Sequence, residues 1–321
     1  MDLQLREHKP YISIVAPIFN EEDNIVEFYQ RCKKTLLSVS EKWEIIFIDD
    51  GSSDKSLGIL IELNRKDPNV KIIKLSRNFG KELALTSGLD LASGEVIVPI
   101  DSDLQDPPEL IIDMIELWEK GYDVVLAVRS HRKNETWLKK TTATLFYKLI
   151  EKISETRIPR NTGDFRLIDR KVLNSINELR ETNRFMKGVF SWVGYTQTTI
   201  EYDRDGRYAG ESKWNYWKLW NFAIEGITSF STFPLKIATY LGFLVSFGAI
   251  FFLLFIVFRT LLYGADVPGY ASTLTLILFL GGLILMFLGI IGEYIGRIYI
   301  EVKERPLYII ESSLGFTKEN D

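Results

Sequence analysis

The sequence predicts an α/β fold: a mostly parallel sheet with helices on both faces, followed by a pair of membrane-crossing helices. Three observations carry this reading. Short apolar runs alternate with helical segments from residue 12 to residue 128. Carboxylates gather just after several of those runs. Two long stretches near the C-terminus carry no charge at all.

Taken in order, the apolar runs are "ISIVAPIFN", "WEIIFIDD", "VKIIKLSRN", "EVIVPID" and "DVVLAV". Such continuous runs suit strands buried on both faces. Helical segments separate them near residues 22–38, 54–66, 80–92 and 107–120, the last opened by Pro107 and Pro108. Strands alternating with helices imply a parallel, doubly wound sheet, whose ligands bind at the carboxyl ends of the strands. Asn20 and Glu21 end the first run, Asp49 and Asp50 the second, and Asp101 and Asp103 the fourth. The acidic groups therefore converge on one edge.

Residues 237–258 and 270–292 form the two charge-free stretches. Each would span ~33 Å as a helix, enough for a hydrocarbon core of ~30 Å. Arg297, Lys303 and Arg305 follow the second stretch, while the linker carries only Arg259. The positive-inside rule then puts the C-terminus in the cytoplasm, and two crossings return the N-terminal two-thirds there too. Ahead of the first stretch, Trp214, Trp217, Trp220, Ile224 and Ile227 share one helical face. That pattern predicts an amphipathic helix lying in the membrane interface. The expected organisation is a soluble domain over 1–212, an interfacial helix over 213–233, and two transmembrane helices within 234–299. The helices fall at about 237–260 and 271–294, and a cytoplasmic tail covers 300–321. No apolar segment near Met1 resembles a cleaved signal. The expected location is the plasma membrane, as a multi-pass protein, with the soluble domain and both termini cytoplasmic. A homo-oligomer is compatible with a two-span anchor, but nothing in the sequence counts subunits.

Composition limits the chemistry. A net charge of −4 and a pI near 5.5 argue against nucleic acid as the main partner. Cys32 is the only cysteine, so no intrachain disulfide forms. His8 and His131 are the only histidines, which makes His-based metal sites and triads poor fits. The carboxylates of "DSDLQD", residues 101–106, repel one another and call for a cation. Mg²⁺ takes one or two carboxylates and completes its shell with substrate phosphates. No P-loop motif is present.

The segments "SIVAPIFNEEDNI", "IIFIDDGSSDKS", "RNFGKELALTSGLDLASGEVIVPIDSDLQDPPE" and "NTGDFRLIDR" together closely resemble the family 2 glycosyltransferases. Their subgroup resembles the polyprenyl-phosphate glycosyltransferases related to dolichyl-phosphate mannose synthase, and the similarity runs from residue 11 to about 235. The paired C-terminal stretches match the membrane-anchored members. The resemblance implies a GT-A type, Rossmann-like domain. It also implies inverting transfer of one sugar from a nucleotide-sugar, UDP-glucose by preference, to a polyprenyl phosphate. The Q-x-x-R-W motif of processive synthases is absent, which points to single-sugar transfer.

By the same resemblance, Pro17, Phe19 and Glu21 line the nucleotide site and Asp50 contacts the nucleoside. Asp101 sits by the ribose and metal with Ser102 beside it, and Asp101, Asp103 and Gln105 hold Mg²⁺ or Mn²⁺. Arg129 approaches the donor phosphates. Arg207, Ser212 and Lys213 of "RYAGESKW" approach donor or acceptor phosphate. Asp164 occupies the position usually proposed as the base. A phosphate acceptor is already largely ionised at neutral pH, so a base is hardly required, and orienting a cation or excluding water are alternative tasks. Glu21 has a second reading as a residue that begins the following helix. Asp49 and Asp106 read better as turn and capping residues. Arg132, Lys133, Lys139 and Lys140 read as a solvated or headgroup-facing charge run. Two other functions stay open on sequence alone: an anchored transferase with a non-lipid acceptor, and a non-catalytic membrane scaffold.

Overall fold

The mostly apolar runs ISIVAPI and WEIIFID bury nearly every residue, so they form the middle of a covered sheet. A computed structural model describes residues 6, 8–129, 162–182, 184, 186–202, 233–264 and 269–316. The first strands and helices alternate as β1 (Ile12–Ile18), α1 (Ile25–Val39), β2 (Trp43–Asp49), α2 (Ser56–Lys66), β3 (Val70–Leu75) and α3 (Lys81–Leu91). They continue with β4 (Val96–Pro99), a 3₁₀ turn (Pro108–Leu110), α4 (Ile111–Glu119) and β5 (Val124–Arg129). After these come β6 (Thr162–Asp169), α5 (Arg170–Glu178), α6 (Met186–Trp192) and β7 (Gln197–Tyr202). Two long helices follow, α7 (Phe233–Tyr263) and α8 (Tyr270–Val302), and then β8 (Ile310–Leu314).

The strands form one sheet in the order β7-β5-β6-β4-β1-β2-β3-β8. β1 pairs in parallel with both β2 and β4, whereas β6 is antiparallel to β4 and β5, and β8 is antiparallel to β3. The sheet is thus mixed, with a parallel centre. Successive residues of the central strands face opposite layers. Ile12, Ile14, Ala16, Ile45 and Phe47 pack under α1, α2 and α4, against Phe28, Cys32, Leu60, Met114 and Trp118. Val15, Ile46, Ile48 and Ile97 pack on the other side, against Ala84 and Leu85 of α3, Val172 of α5 and Phe190 of α6. Each fully buried Ile or Phe contributes roughly 1.5–3 kcal/mol relative to exposure. Gly88 lets α3 lie close to the sheet: a Cβ there would come within 2.4 Å of Val15 and 2.5 Å of Ile48.

The strand order reverses at β1, since the chain runs outward through β2 and β3 and then crosses back to β4. The reversal opens a crevice beyond the carboxyl ends of β1 and β4, where an open α/β sheet binds its ligands. Two prolines fit this parting. Paired residues of β1 and β4 stop at Val15 and Pro99, before Pro17 is reached. Ile100 donates to the Val15 carbonyl and Asp50 donates to the Ile18 carbonyl, so the missing N–H of Pro17 falls on the β4 side. There it costs no ladder bond.

The five strands expected from sequence are present, with β1 and β3 ending before the polar residues that close "ISIVAPIFN" and "VKIIKLSRN". The sequence reading omitted β6, β7 and β8. The C-terminal segment expected as a tail supplies β8. Tyr308 donates to Asp90 at 2.6 Å, and Lys74 pairs with Glu311 at 2.8 Å.

A second unit contains α7 and α8. These helices of 31 and 33 residues are in contact with each other. Their apolar side chains, including Phe243, Leu244, Phe251, Ile284 and Leu285, are exposed. Among the described residues one stretch, Phe279–Val302, is long and apolar enough to cross a membrane, and Ala238–Phe252 is a shorter apolar stretch. The helices therefore run past the boundaries expected from charge alone. Beyond residue 292, Glu293 and Arg297 neutralise each other at 3.0 Å one turn apart, so α8 continues. The expected interfacial helix at 213–233 lies outside the described residues, apart from Phe233.

Candidate active site

Two polar loops fold against each other at the crevice mouth. After β1, Asn20 adopts a left-handed conformation, φ 55°, which Asn tolerates better than most residues. Its backbone N–H donates to Ser52 Oγ at 3.1 Å, and its Oδ1 accepts from the Ser53 N–H at 2.8 Å. Glu21 accepts from the Asn24 amide at 2.5 Å, and its carbonyl receives the N–H groups of Asn24 and Ile25. Glu21 thus sits at the start of α1, as its second sequence reading has it. Phe19 is 48% exposed at the crevice and Pro17 is half-buried in β1.

After β2, Asp49 accepts from the Ser52 N–H at 3.2 Å, as a turn residue does. Asp50 is buried, and its two oxygens take the N–H groups of Phe79 and Gly80 at 2.7 and 2.9 Å. Expected at the nucleoside, its carboxylate is engaged here in holding the loop before α3. Burial and the neighbouring Asp49 raise its pKa above the usual carboxylate value, against the two N–H groups. Gly51 completes the clamp: its φ is +75°, and a Cβ would meet the Asn78 nitrogen at 2.8 Å. No other residue fits there without moving one loop.

After β4 comes the D-x-D loop. Leu104 has φ 60°, a strained conformation for a bulky residue, and lies between Asp103 and Gln105. Asp103 Oδ1 accepts the Gln105 N–H at 3.1 Å. Ser102 is buried. Asp106 accepts from the Tyr202 hydroxyl, tying the loop to β7.

The recorded β4–β6 pairs are Val96 with Asp169 and Ile97 with Ile168. Past those pairs, Asp101 of the loop and Asp164 of β6 approach a single side chain. Like charges so placed repel, and a cation joins them. Lys81 Nζ lies 2.7 Å from Asp101 Oδ1 and 2.5 Å from Asp164 Oδ2. Burial disfavours the ammonium, but Asp101 and Asp164 outweigh it and raise its pKa above the ordinary lysine value. Behind Asp164 lies a second cation. Arg166 is buried, donates to the Gly163 carbonyl at 2.8 Å and stacks 4.1 Å over the Phe190 ring. Burial pushes its pKa down to about 10 against Asp164 and Glu82, so it stays charged at neutral pH.

Among the described residues no three His, Cys, Asp or Glu side chains are gathered to hold a metal by themselves. The D-x-D loop nevertheless offers a matched donor set. The Gln105 side-chain oxygen is buried and accepts no hydrogen bond, and Asp101 and Asp103 add carboxylates on the same loop. Hard oxygen donors, with shell positions left for phosphate, suit Mg²⁺ or Mn²⁺. Arg129 closes β5, opposite Tyr202 of β7. Arg207, Ser212 and Lys213 lie outside the described residues, as do Arg132, Lys133, Lys139 and Lys140.

Sequence reasoning missed Lys81 and Arg166. One signal was available for Lys81. It is the first residue of α3, where the helix dipole disfavours a cation unless carboxylates compensate.

The sequence matches the family model described as Glycosyl transferase family 2 over residues 13–176. An uncharacterized glycosyltransferase of Synechocystis sp. is 53% identical over 304 residues, covering 95% of this chain and 96% of that one. A bactoprenol glucosyl transferase of Shigella phage SfV is 51% identical over 301 residues, covering 94% and 98%. Among solved structures, the mannosyltransferase PcManGT from Pyrobaculum calidifontis, in complex with GDP-Man and Mn²⁺, is 15% identical with a TM-score of 0.47. It covers 69% of this chain and 63% of that one, a likeness too slight to bear on ligands.

Proposed function

Because the chain belongs to glycosyl transferase family 2, we propose that it transfers one glucose from UDP-glucose to polyprenyl phosphate, inverting the anomeric carbon. The acceptor and sugar follow from relatives named bactoprenol glucosyl transferase, about half identical along nearly the whole chain. The observation in the fold that carries the reading is the meeting of Asp101 of the D-x-D loop and Asp164 of β6 on the Lys81 ammonium at the crevice mouth. Donor phosphates and acceptor phosphate can meet there.

Asp101, Asp103 and Gln105 would hold Mg²⁺ or Mn²⁺, which when bound supplies positive charge to the departing diphosphate. Arg129 adds a fixed charge to the same leaving group. Pro17 and Phe19 line the donor side, with Glu21 and Ser102 beside them, and Asp50 fixes the loop that positions α3. The acceptor oxygen is already anionic, so Asp164 need not remove a proton from it. Paired with Lys81, Asp164 orients the ammonium beside the reacting atoms. Arg207, Ser212 and Lys213 would draw the lipid phosphate in, since charge-assisted bonds to phosphate are the strong ones. Preorganised charge of this kind supplies most of the rate in comparable displacements.

The membrane reading is a two-helix hairpin at the plasma membrane, with the catalytic domain and both termini cytoplasmic. Strand pairing supports it: β7 precedes the two long helices, β8 follows them, and both belong to one sheet. A chain that crosses a bilayer between those strands must cross an even number of times.

A panel of nucleotide-sugars against undecaprenyl and dolichyl phosphate, with the purified full chain in nanodiscs, tests the reading. UDP-glucose with undecaprenyl phosphate should give the highest turnover. Equal turnover without any lipid phosphate would point to a different acceptor.

A further inference from the structure

Asp101 is shared between two tasks: it belongs to the donor set of the D-x-D loop, and both of its oxygens lie within 2.8 Å of Lys81 Nζ. We propose that Lys81 is the resident counter-ion of the ligand-free site and competes with the divalent cation for Asp101. This rests on the metal reading of the D-x-D loop given above.

Several independent features put the ammonium there. Asp101 and Asp164 each come within 2.7 Å of one nitrogen, so two like charges are drawn together, an arrangement that needs a cation before any ligand arrives. Lys81 supplies it from the first residue of α3, the end of a helix that disfavours positive charge. The preceding loop is fixed to deliver it: Asp50 takes the N–H groups of Phe79 and Gly80, and Gly80 turns the chain with φ 94°. The ammonium serves Asp101 and Asp164 and does not reach the Gln105 oxygen, which accepts no hydrogen bond. A divalent ion using Gln105, Asp103 and Asp101 must therefore take Asp101 from Lys81. Metal alone should bind weakly, and metal with a nucleoside diphosphate should bind as a unit, since the phosphates add ligands that outweigh the displaced ion pair. Lys81 is thus a positioning residue that couples metal entry to donor entry.

The test is Mn²⁺ affinity in the full-length protein without nucleotide, read from the electron paramagnetic resonance signal of free Mn²⁺. Removing a partly buried competitor should tighten binding in Lys81→Met by about 5- to 30-fold, as expected for one or two ion pairs. Lys81→Arg should stay near wild type. Where Lys81→Met does not fold, Lys81→Gln carries the same expectation, because it keeps polar contact without charge. A structural role alone would loosen the site, so unchanged or weaker Mn²⁺ binding in the neutral variants overturns the proposal. Asp103→Asn separates the two layers. Mn²⁺ affinity that Asp103→Asn leaves unchanged in the Lys81→Met background means the ion sits elsewhere, which overturns the metal reading and this proposal with it. No tightening in Lys81→Met, with Asp103→Asn still weakening Mn²⁺ in the wild-type background, overturns the Lys81 proposal alone.

Discussion

Replacing Asp103 with asparagine removes one negative charge from the D-x-D loop and almost nothing from the fold. Asp103 is partly exposed, and its Oδ1 accepts the Gln105 N–H at 3.1 Å, a bond the Asn oxygen can also accept. The turn around the left-handed Leu104 is therefore kept, and the stability change should stay within about 1 kcal/mol. Catalysis depends on the charge itself. Losing one preorganised group at a developing charge costs ~2.7–4 kcal/mol, or roughly 100- to 1000-fold in rate. Turnover with UDP-glucose and undecaprenyl phosphate, across a titration of Mg²⁺ and Mn²⁺, measures the loss, and thermal unfolding of the same sample checks the fold. Activity within about threefold of wild type at saturating metal would refute the assignment of Asp103 as a ligand.

Other predictions concern stability, acceptor binding and topology. Glu44 is buried with Lys71 at 2.5 Å and Tyr11 at 2.9 Å. Burial opposes its charge, but Lys71, Ser13 and the Ser93 N–H outweigh it and hold its pKa below the usual value. Burial is likewise outweighed at Asp67 by Lys33 and at Asp123 by Lys171, Thr196 and Arg6. Folded pKa values below the unfolded ones give stability that is present above the ordinary carboxylate range and lost as pH falls through the depressed values. The unfolding midpoint should therefore drop below about pH 4. Glu44→Gln should cost about 1–3 kcal/mol at neutral pH, read by denaturant titration. Arg207→Ala should lower glucosyl-lipid formation by ~30- to 1000-fold while UDP affinity stays unchanged; equal losses in both would move Arg207 to the donor. Ala265→Cys in sealed vesicles should react with a membrane-impermeant thiol reagent only from the non-cytoplasmic side, and buried Cys32 supplies little background. Labelling from the cytoplasmic side alone would contradict the hairpin.

The strands legible in the sequence are those whose neighbours bury both faces. In β1 and β2 nearly every residue is buried, so the apolar runs announce them. β6 is harder to read because Asp164 and Arg166 alternate with Phe165 and Leu167, a period-two pattern interrupted by charge. β8 is short and largely exposed, and its pairing with β3 comes from more than two hundred residues away, so no local signal marks it. The site divides in the same way. Asp101, Asp103, Gln105 and Asp164 stand in contiguous motifs and can be named from sequence. Lys81 reaches Asp101 and Asp164 because α3 packs on the face of the sheet that carries Asp164, and only tertiary structure supplies that proximity. Asp50 is the converse case. Its motif suggests a ligand contact, and its oxygens also hold the loop that aims Lys81, a task the motif does not announce.

The most direct measurement is the identity of the lipid product made by the purified enzyme from UDP-α-glucose and undecaprenyl phosphate. Mass spectrometry should find the lipid phosphate heavier by a single hexose, and the anomeric proton coupling should report a β-linkage, the mark of one inverting displacement. An α-linked sugar, a ladder of several hexoses, or UDP release with no glucosylated lipid would contradict the account.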